Sequence, residues 1–301
     1  MTNNTPLVSI IMPTKNRLEM LKRSVSSVIS QTYTLWELIV VLDGCTDDSE
    51  EYLKSIDDKR IRVVSLKKSY GASGARNRGI KLTKGELIAF LDDDDEWFST
   101  KLAKQISKFD LNNDKIGLIY CWMNYYDENK KLVYSHNPTV SGYVFDKMLT
   151  QQSIGGCPSI IIKKSIIDEI GLFDENLFRG NDGDYWRRIT QKFHVQVVSE
   201  CLVNVYVGHN DRISVNSVPN LKFALISFEK WLKVFHDDYN KYPKKKVFML
   251  FRCFNYSLEA NEFKKAILYL VRIKNINNHQ LYKLKTLCYV LYKYFLRRGV
   301  I

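Results

Sequence analysis

At 301 residues, 45% of them hydrophobic and 13% aromatic, the chain has the composition of a globular protein, enough for one large α/β domain with an appendage or for two ordinary domains. Its net charge of +12 is unevenly placed: from Asn220 onward 17 Lys and Arg face 5 Asp and Glu, whereas the part before it carries 28 of each. Six scattered cysteines without a CxxC pair exclude a disulfide or zinc framework, and no uncharged run approaches the roughly 20 apolar residues of a bilayer span.

Met1 to Pro6 lacks a charged region followed by an apolar core, which argues against a secretory signal and for a cytoplasmic protein, with contact to a membrane surface left open. Leu7 to Met12 is a short β-branched apolar run bounded by Pro13 and reads as a buried strand. Arg17 to Gln31 sets Leu18, Leu21, Val25, Val28 and Ile29 at helical spacing. Trp36 to Leu42 is a second buried strand closed by Asp43-Gly44. A short helix over Ser49 to Ile56 and a third strand over Ile61 to Leu66 follow. Buried strands alternating with helices signal a parallel, doubly wound sheet, whose ligands collect at the carboxyl ends of the strands.

Gly71-Ala72-Ser73-Gly74-Ala75-Arg76-Asn77-Arg78-Gly79-Ile80 reads as a Gly/Ser loop opening a helix. Such a loop can cradle an anion with its N–H groups, aided here by Arg76 and Arg78, or simply cap a surface helix; it lacks the Walker lysine and does not match GxGxxG. The apolar run Leu87 to Leu91 then ends in Asp92-Asp93-Asp94-Asp95. Carboxylates crowded at a strand end repel one another unless a cation or ligand donors neutralise them, so the stretch is either a divalent metal site or a solvated acidic turn. Three strand ends, at Pro13 to Arg17, at Asp43 to Asp48 and at the aspartates, point to one crevice.

Trp97 to Phe109 reads as a helix, Ile116 to Met123 as a strand, and Asp127 to Tyr143 as a hairpin or loop over the crevice. Gly155 to Pro158 turns into a strand over Ser159 to Ile162, and Lys164 to Ile170 is a short helix ended by Gly171. In a second acidic group, Arg179-Gly180-Asn181-Asp182-Gly183-Asp184-Tyr185-Trp186, Asn181 or Asp182 suits a helix cap. A strand over Val195 to Val207 precedes His209, Arg212, Ile213 and Ser214. From Pro219 the chain turns helical and basic: Phe223, Ile226, Phe228 and Trp231 begin an amphipathic helix, Lys244-Lys245-Lys246 reads as a charged linker, and Leu281, Leu284, Cys288, Leu291 and Phe295 share one helical stripe. The tail either packs as a helical hairpin or lies on anionic lipid; without an RNP-like or zinc-finger pattern its charge does not read as nucleic-acid binding.

In order and spacing, these motifs over roughly residues 6 to 215 resemble the inverting glycosyltransferases of family two, which have the GT-A fold and use nucleotide-diphospho-sugars. The opening Val8-Ser9-Ile10-Ile11-Met12-Pro13-Thr14-Lys15-Asn16-Arg17 looks like the family's first strand and nucleotide-holding turn, implying donor contacts from Pro13, Thr14, Asn16 and Arg17. Leu42-Asp43-Gly44-Cys45-Thr46-Asp47 is similar to Asp-Asp-Gly-Ser-x-Asp with Leu42 replacing the first Asp, which leaves Asp43 as the base or ribose contact. Gly71 to Ile80 resembles Gly-x-Ser-x-Ala-Arg-Asn-x-Gly, whose Arg, here Arg76, lies near the nucleotide. Phe90 to Trp97 looks like Phe-Leu-Asp-x-Asp-Asp-x-Trp, the DxD site. The match implies Asp92 at the ribose, Asp94 on a metal and Asp95 in support, with Asp93 the variable residue on the nucleotide side. Asn181-Asp182-Gly183-Asp184-Tyr185-Trp186 resembles Glu-Asp-x-Asp-x-Trp with Asn181 in place of Glu. Asp182 falls on the catalytic base, and Asp184 and Trp186 support it. His209 with Ile213 and Ser214 is similar to a late element that reaches the diphosphate or metal.

The resemblance therefore implies a Rossmann-like, mostly parallel α/β sheet over residues 1–218 and a basic helical region over 219–301. It implies Mn²⁺ or Mg²⁺ as cofactor, a nucleotide-diphospho-sugar donor, expected to be a UDP-sugar, and a saccharide acceptor, lipid-linked if the tail meets a membrane. Two alternatives stay open on the residues alone: a metal-dependent nucleotidyltransferase or hydrolase built on the aspartates, and a non-catalytic membrane-associated scaffold.

Overall fold

The structure, a computed structural model, describes residues 5–207 and 217–276. Two compact units divide the chain, Met1–Arg212 and Ile213–Ile301. In the first, β1 (Val8–Thr14), α1 (Leu18–Ile29), β2 (Trp36–Asp43), α2 (Ser49–Lys54), β3 (Ile61–Leu66), α3 (Gly71–Ile80) and β4 (Leu87–Phe90) alternate strand and helix. After the aspartates come β5 (Glu96–Trp97), α4 (Lys101–Lys108), β6 (Ile116–Tyr126), β7 (Leu132–His136), α5 (Phe145–Met148), β8 (Ile160–Lys163), α6 (Ile167–Ile170), α7 (Asn181–Lys192) and β9 (His194–Tyr206).

The nine strands form one sheet in the order β3-β2-β1-β4-β8-β6-β9-β5, with β7 paired to β6. Strands β1 to β4 are mutually parallel, and all four residues of β4 and nearly all of β1 and β2 are buried, which explains their unbroken apolar runs. Beyond β4 the sheet is mixed: β8 runs antiparallel between β4 and β6, while β6 and β9 are parallel. Strands β1, β2, β3, β4, β6 and β9 thus share one direction, and their carboxyl ends share one edge.

Two apolar layers cover the sheet. One joins Met12, Leu21, Val25, Trp97 and Leu102; the other joins Phe90, Phe173, Tyr185, Trp186 and Ile189. Helix α3 comes so close to β1 that a Cβ on Gly79 would sit 2.6 Å from the Ile11 side chain, so glycine is required there by contact rather than by backbone angle.

Local chemistry moved several expected boundaries. The stretch read as a Gly/Ser loop is helix from its first residue, because Ser73, Gly74, Ala75, Arg76, Asn77 and Gly79 are all buried and the tertiary contact outweighs the glycines' poor helix propensity. The helix expected from Trp97 begins only at Lys101, since Glu96 and Trp97 pair with Asn204 and Val203 as a short strand. β1 continues through Pro13 and Thr14, past its last β4 pairing at Ile11, where a missing N–H removes no ladder bond on that side. Helix α7 is capped by Gly180 in the left-handed region (φ 77°) rather than by Asn181 or Asp182, which occupy its first two helical positions.

The second unit contains α8 (Val218–Val234), α9 (His236–Lys241), α10 (Pro243–Glu259) and α11 (Phe263–Ile276). Its core holds Leu221, Phe228, Trp231, Leu250, Phe254 and Tyr269. Ile226 is on the exposed side of α8, and Lys244, Lys245 and Lys246 belong to the first turn of α10 instead of a linker, with Pro243 starting that helix. No helix among the described residues is long and apolar enough to cross a membrane. The expected stripe from Leu281 to Phe295 lies outside the described residues.

Candidate active site

The four aspartates leave β4 at the shared carboxyl edge and are held from below by α1. Ser24 Oγ lies 2.8 Å from the Asp93 carbonyl and 2.5 Å from that of Asp95, Arg23 Nη2 donates to the Asp94 carbonyl at 2.5 Å, and Ser27 Oγ accepts from the Trp97 N–H at 3.2 Å. The Trp97 indole donates to the Pro158 carbonyl at 2.7 Å. The backbone of the turn is thus fixed independently of its carboxylates.

Those carboxylates are poorly hydrated: Asp93, Asp94 and Asp95 are buried, and Asp92 is partly open to solvent. Arg17 Nη1 sits 3.3 Å from both Asp93 Oδ1 and Asp94 Oδ2. Burial first, then the charge of Asp94, pushes Asp93 up to about 6, against the lowering effect of Thr14 and Arg17. The variable position of the resembled motif is here among the best shielded. One oxygen each from Asp92, Asp94 and Asp95 lie within 4.8 Å of one another. Hard oxygen donors so grouped fit Mg²⁺ or Mn²⁺.

The neighbouring strand ends are tied together. Asn16, at positive φ, accepts the Thr46 N–H at 2.7 Å, and Asp47 accepts the Leu18 N–H at 3.2 Å, so the turns after β1 and β2 brace each other. Asp43 is almost wholly engaged: it accepts from Ser69 Oγ at 2.6 Å, Tyr70 N–H at 2.7 Å and Gly71 N–H at 2.9 Å. This residue anchors the start of α3, where a carboxylate also suits the helix dipole.

One turn into α3, Arg76 donates to Asp92 Oδ1 at 2.5 Å. Burial, the largest single influence, disfavours its charge, but Asp92, Cys157 and Asp182 together outweigh it and hold the guanidinium pKa above its ordinary value. Asn77 fixes the next segment through both amide atoms, accepting the Phe173 N–H and donating to the Phe173 carbonyl at 2.9 Å each.

The second acidic group approaches from the other face. Asn181, standing where the resembled motif has Glu, donates to Ser73 Oγ at 2.9 Å and joins the start of α7 to α3. Half-buried Asp182 follows Asn181 in the first turn of α7, and its charge, like that of Asp92, favours the charged form of Arg76. Asp184 is fully buried and bound by Arg188 Nε at 3.0 Å; Arg188 also holds the Ile170 and Leu172 carbonyls. Trp186 packs on Phe90, the last residue of β4. Both anchor α7, the helix in whose first turn Asp182 stands. His209, with Arg212, Ile213 and Ser214, lies outside the described residues.

Sequence reasoning missed Arg23, Ser24, Ser27 and Cys157. A signal existed for Ser24: it shares the buried stripe of Leu21, Val25 and Val28, where a hydroxyl must find a partner. Cys157 carried no such signal. Burial raises its thiol well above the ordinary range, with Arg76, Asp92, Asp182 and Asp95 all acting on it.

The arrangement offers a group of carboxylates for a cation, a buried arginine beside them, and a separate carboxylate in the first turn of α7. The model of Glycosyl transferase family 2 matches residues 9–171. An uncharacterized glycosyltransferase of Methanocaldococcus jannaschii is 31% identical over 217 residues, covering 68% of this chain and 72% of that one. The Escherichia coli UDP-Glc:alpha-D-GlcNAc-diphosphoundecaprenol beta-1,3-glucosyltransferase WfgD is 30% identical over 217 residues, covering 72% of this chain and 81% of its own. The crystal structure of S. aureus TarS 1-349 in complex with UDP-GlcNAc superposes with a TM-score of 0.60 at 15% identity, covering 97% of this chain and 92% of that one, a likeness of GT-A fold. Family match, relatives and fold together place the chain in glycosyl transferase family 2.

Proposed function

We propose that the protein transfers a sugar, with inversion, from a nucleotide-diphospho-sugar to a hydroxyl of a saccharide acceptor in the synthesis of a cell-surface polysaccharide or glycoconjugate. The observation that carries this reading is the separation of duties in the crevice: Asp92, Asp94 and Asp95 form one oxygen-donor group, while Asp182 stands in the first turn of α7, which Asn181 bonds to α3, the helix that carries Arg76. A UDP-sugar donor is supported by the names of the Escherichia coli relative and of the TarS complex. The diphosphoundecaprenol in the former favours a lipid-linked acceptor.

Asp94, with Asp92 and Asp95 beside it, would hold the divalent cation, Mn²⁺ or Mg²⁺. When bound, it neutralises charge that builds on the departing nucleoside diphosphate. Pro13, Thr14, Asn16 and Arg17 border the nucleotide, with Asp93 buttressed by Arg17. Arg76 keeps positive charge next to the diphosphate. Asp182 removes the proton from the acceptor hydroxyl, which attacks the anomeric carbon opposite the leaving diphosphate, and a single displacement inverts the configuration. Asp43 steadies α3 and reaches the base or ribose only through the edge of its carboxylate. The basic helices from residue 219 onward serve as a peripheral contact to anionic lipid on the cytoplasmic face. Ile267, Leu268 and Val271 support that role as an exposed apolar stripe on α11.

Asp182→Asn tests the assignment. General-base assistance is worth about 10²–10⁴-fold, so transfer should fall by that factor while donor affinity is kept. A variant retaining a quarter of wild-type transfer removes Asp182 from the role.

A further inference from the structure

At the edge of the sheet opposite the aspartates lies a cavity of about 850 Å³, bordered by Gly85 and Glu86 ahead of β4, the end of β8, and the turn around Gly171. The four residues of β4 separate it from the acidic turn by about 13 Å at 3.3 Å per residue. Its walls are apolar at Ile80, Leu111, Ile167 and Leu172. Around them stand Lys81, Lys84, Lys163 and Lys164 against Glu86 and Asp168 in the lining, while Asp110 and Asp114 act on Lys163 from beside it. Lys163 Nζ bonds the Leu111 and Asn113 carbonyls at 2.9 Å each, and Lys164 Nζ bonds the Thr83 carbonyl at 2.6 Å. Carbonyls orient these ammonium groups but do not cancel their charge, and none of the four lysines forms a salt bridge among the described residues.

Ligand sites typically enclose about 300–1,000 Å³; this cavity has that size, and its lining sets an apolar floor of Ile80, Leu111, Ile167 and Leu172 within a ring of mostly basic side chains. We infer that it is a second binding site, distinct from the transfer crevice, for an anionic amphiphile: a phosphate-headed molecule whose head meets Lys81 and Lys84 and whose apolar part lies against Ile80, Ile167 and Leu172. Two lysines fixed by carbonyls keep the inner end positive without closing on the ligand, and the two exposed lysines supply the mobile contacts. Apolar burial and charge are both needed, because an anion alone would keep its hydration and an apolar chain alone would leave the lysines uncompensated.

The test is calorimetric titration of the full chain with monomeric decyl phosphate, compared with inorganic phosphate and with uncharged decyl maltoside. One saturable site is expected, at least ten-fold tighter for decyl phosphate than for either control. Lys81→Gln combined with Lys84→Gln should weaken it about ten-fold while melting temperature and basal sugar transfer stay as in the wild type. Competition by phosphatidylglycerol vesicles would identify a membrane lipid as the source and its absence a soluble amphiphile, both supporting the site. Lack of saturation, equal binding of either control, or an unchanged affinity in the double variant would overturn it.

Discussion

Asp43→Ala is the substitution whose outcome separates two jobs for one carboxylate. Resemblance alone makes Asp43 a donor contact, yet its oxygens already accept three hydrogen bonds, two of them from the Tyr70 and Gly71 N–H groups at the start of α3. Bonds to a charged acceptor contribute about 1.5–3 kcal/mol each. Tyr70 and Ser69 are exposed, so their donors can turn to water, and the expected loss is about 2–4 kcal/mol rather than the full sum. Asp43→Asn keeps one acceptor oxygen and should lose about half as much. Urea unfolding with unchanged slope reads the stability, and titration of the folded variants with UDP reads the nucleotide. Because α3 carries Arg76, donor affinity should decline in step with stability across the two variants. An Asp43→Ala protein as stable as wild type but unable to bind UDP would refute the anchoring argument.

Three further outcomes follow from buried charge. Lys101 is wholly buried over the Trp97 ring at 3.8 Å, and burial lowers its pKa from 10.5 to about 8, worth about 3 kcal/mol. The unfolded chain holds this proton to higher pH than the folded one, so stability should rise between about pH 8 and 10.5. Lys101→Met should raise stability at pH 7 by about 1–3 kcal/mol, since the ring returns part of the burial term, and flatten that rise; thermal melts from pH 7 to 10 that keep the wild-type slope would contradict this. Asp92→Asn leaves the buried Arg76 charge without its partner. It should cost about 2–3 kcal/mol, less than for a fully buried pair because Asp92 is 30% exposed, and the added change Arg76→Met should recover part of the loss. Chelation should abolish transfer restorable by Mn²⁺ or Mg²⁺, and Asp94→Asn should raise the cation concentration needed at least ten-fold; transfer at full rate in chelator would remove the cation from the account.

Much of the architecture was legible because both faces of β1, β2 and β4 are covered, and full burial writes itself as unbroken apolar runs such as Ile10-Ile11-Met12 and Leu38 to Leu42. The sheet became harder to read where β8 and β9 enter between distant segments, since pairing direction leaves no mark on such runs. Gly71 to Ile80 misled for a physical reason: glycines that look like loop residues are needed where α3 presses on β1 and on its own first turn. At the site, the aspartates and Asp182 announced themselves by charge at strand and helix ends. The hydroxyl that holds the aspartates' backbone, on Ser24, did not, because a serine inside an apolar helical stripe looks like noise until its carbonyl partners are known.

The most direct test of the account is incubation of the purified chain with Mn²⁺, a panel of anomerically defined sugar nucleotides and a saccharide-diphospholipid acceptor, following released nucleotide and the product's anomeric configuration together. One nucleoside diphosphate per glycoside formed is expected, with the anomeric centre inverted. Release of phosphate or pyrophosphate, or a product of retained configuration, would contradict it.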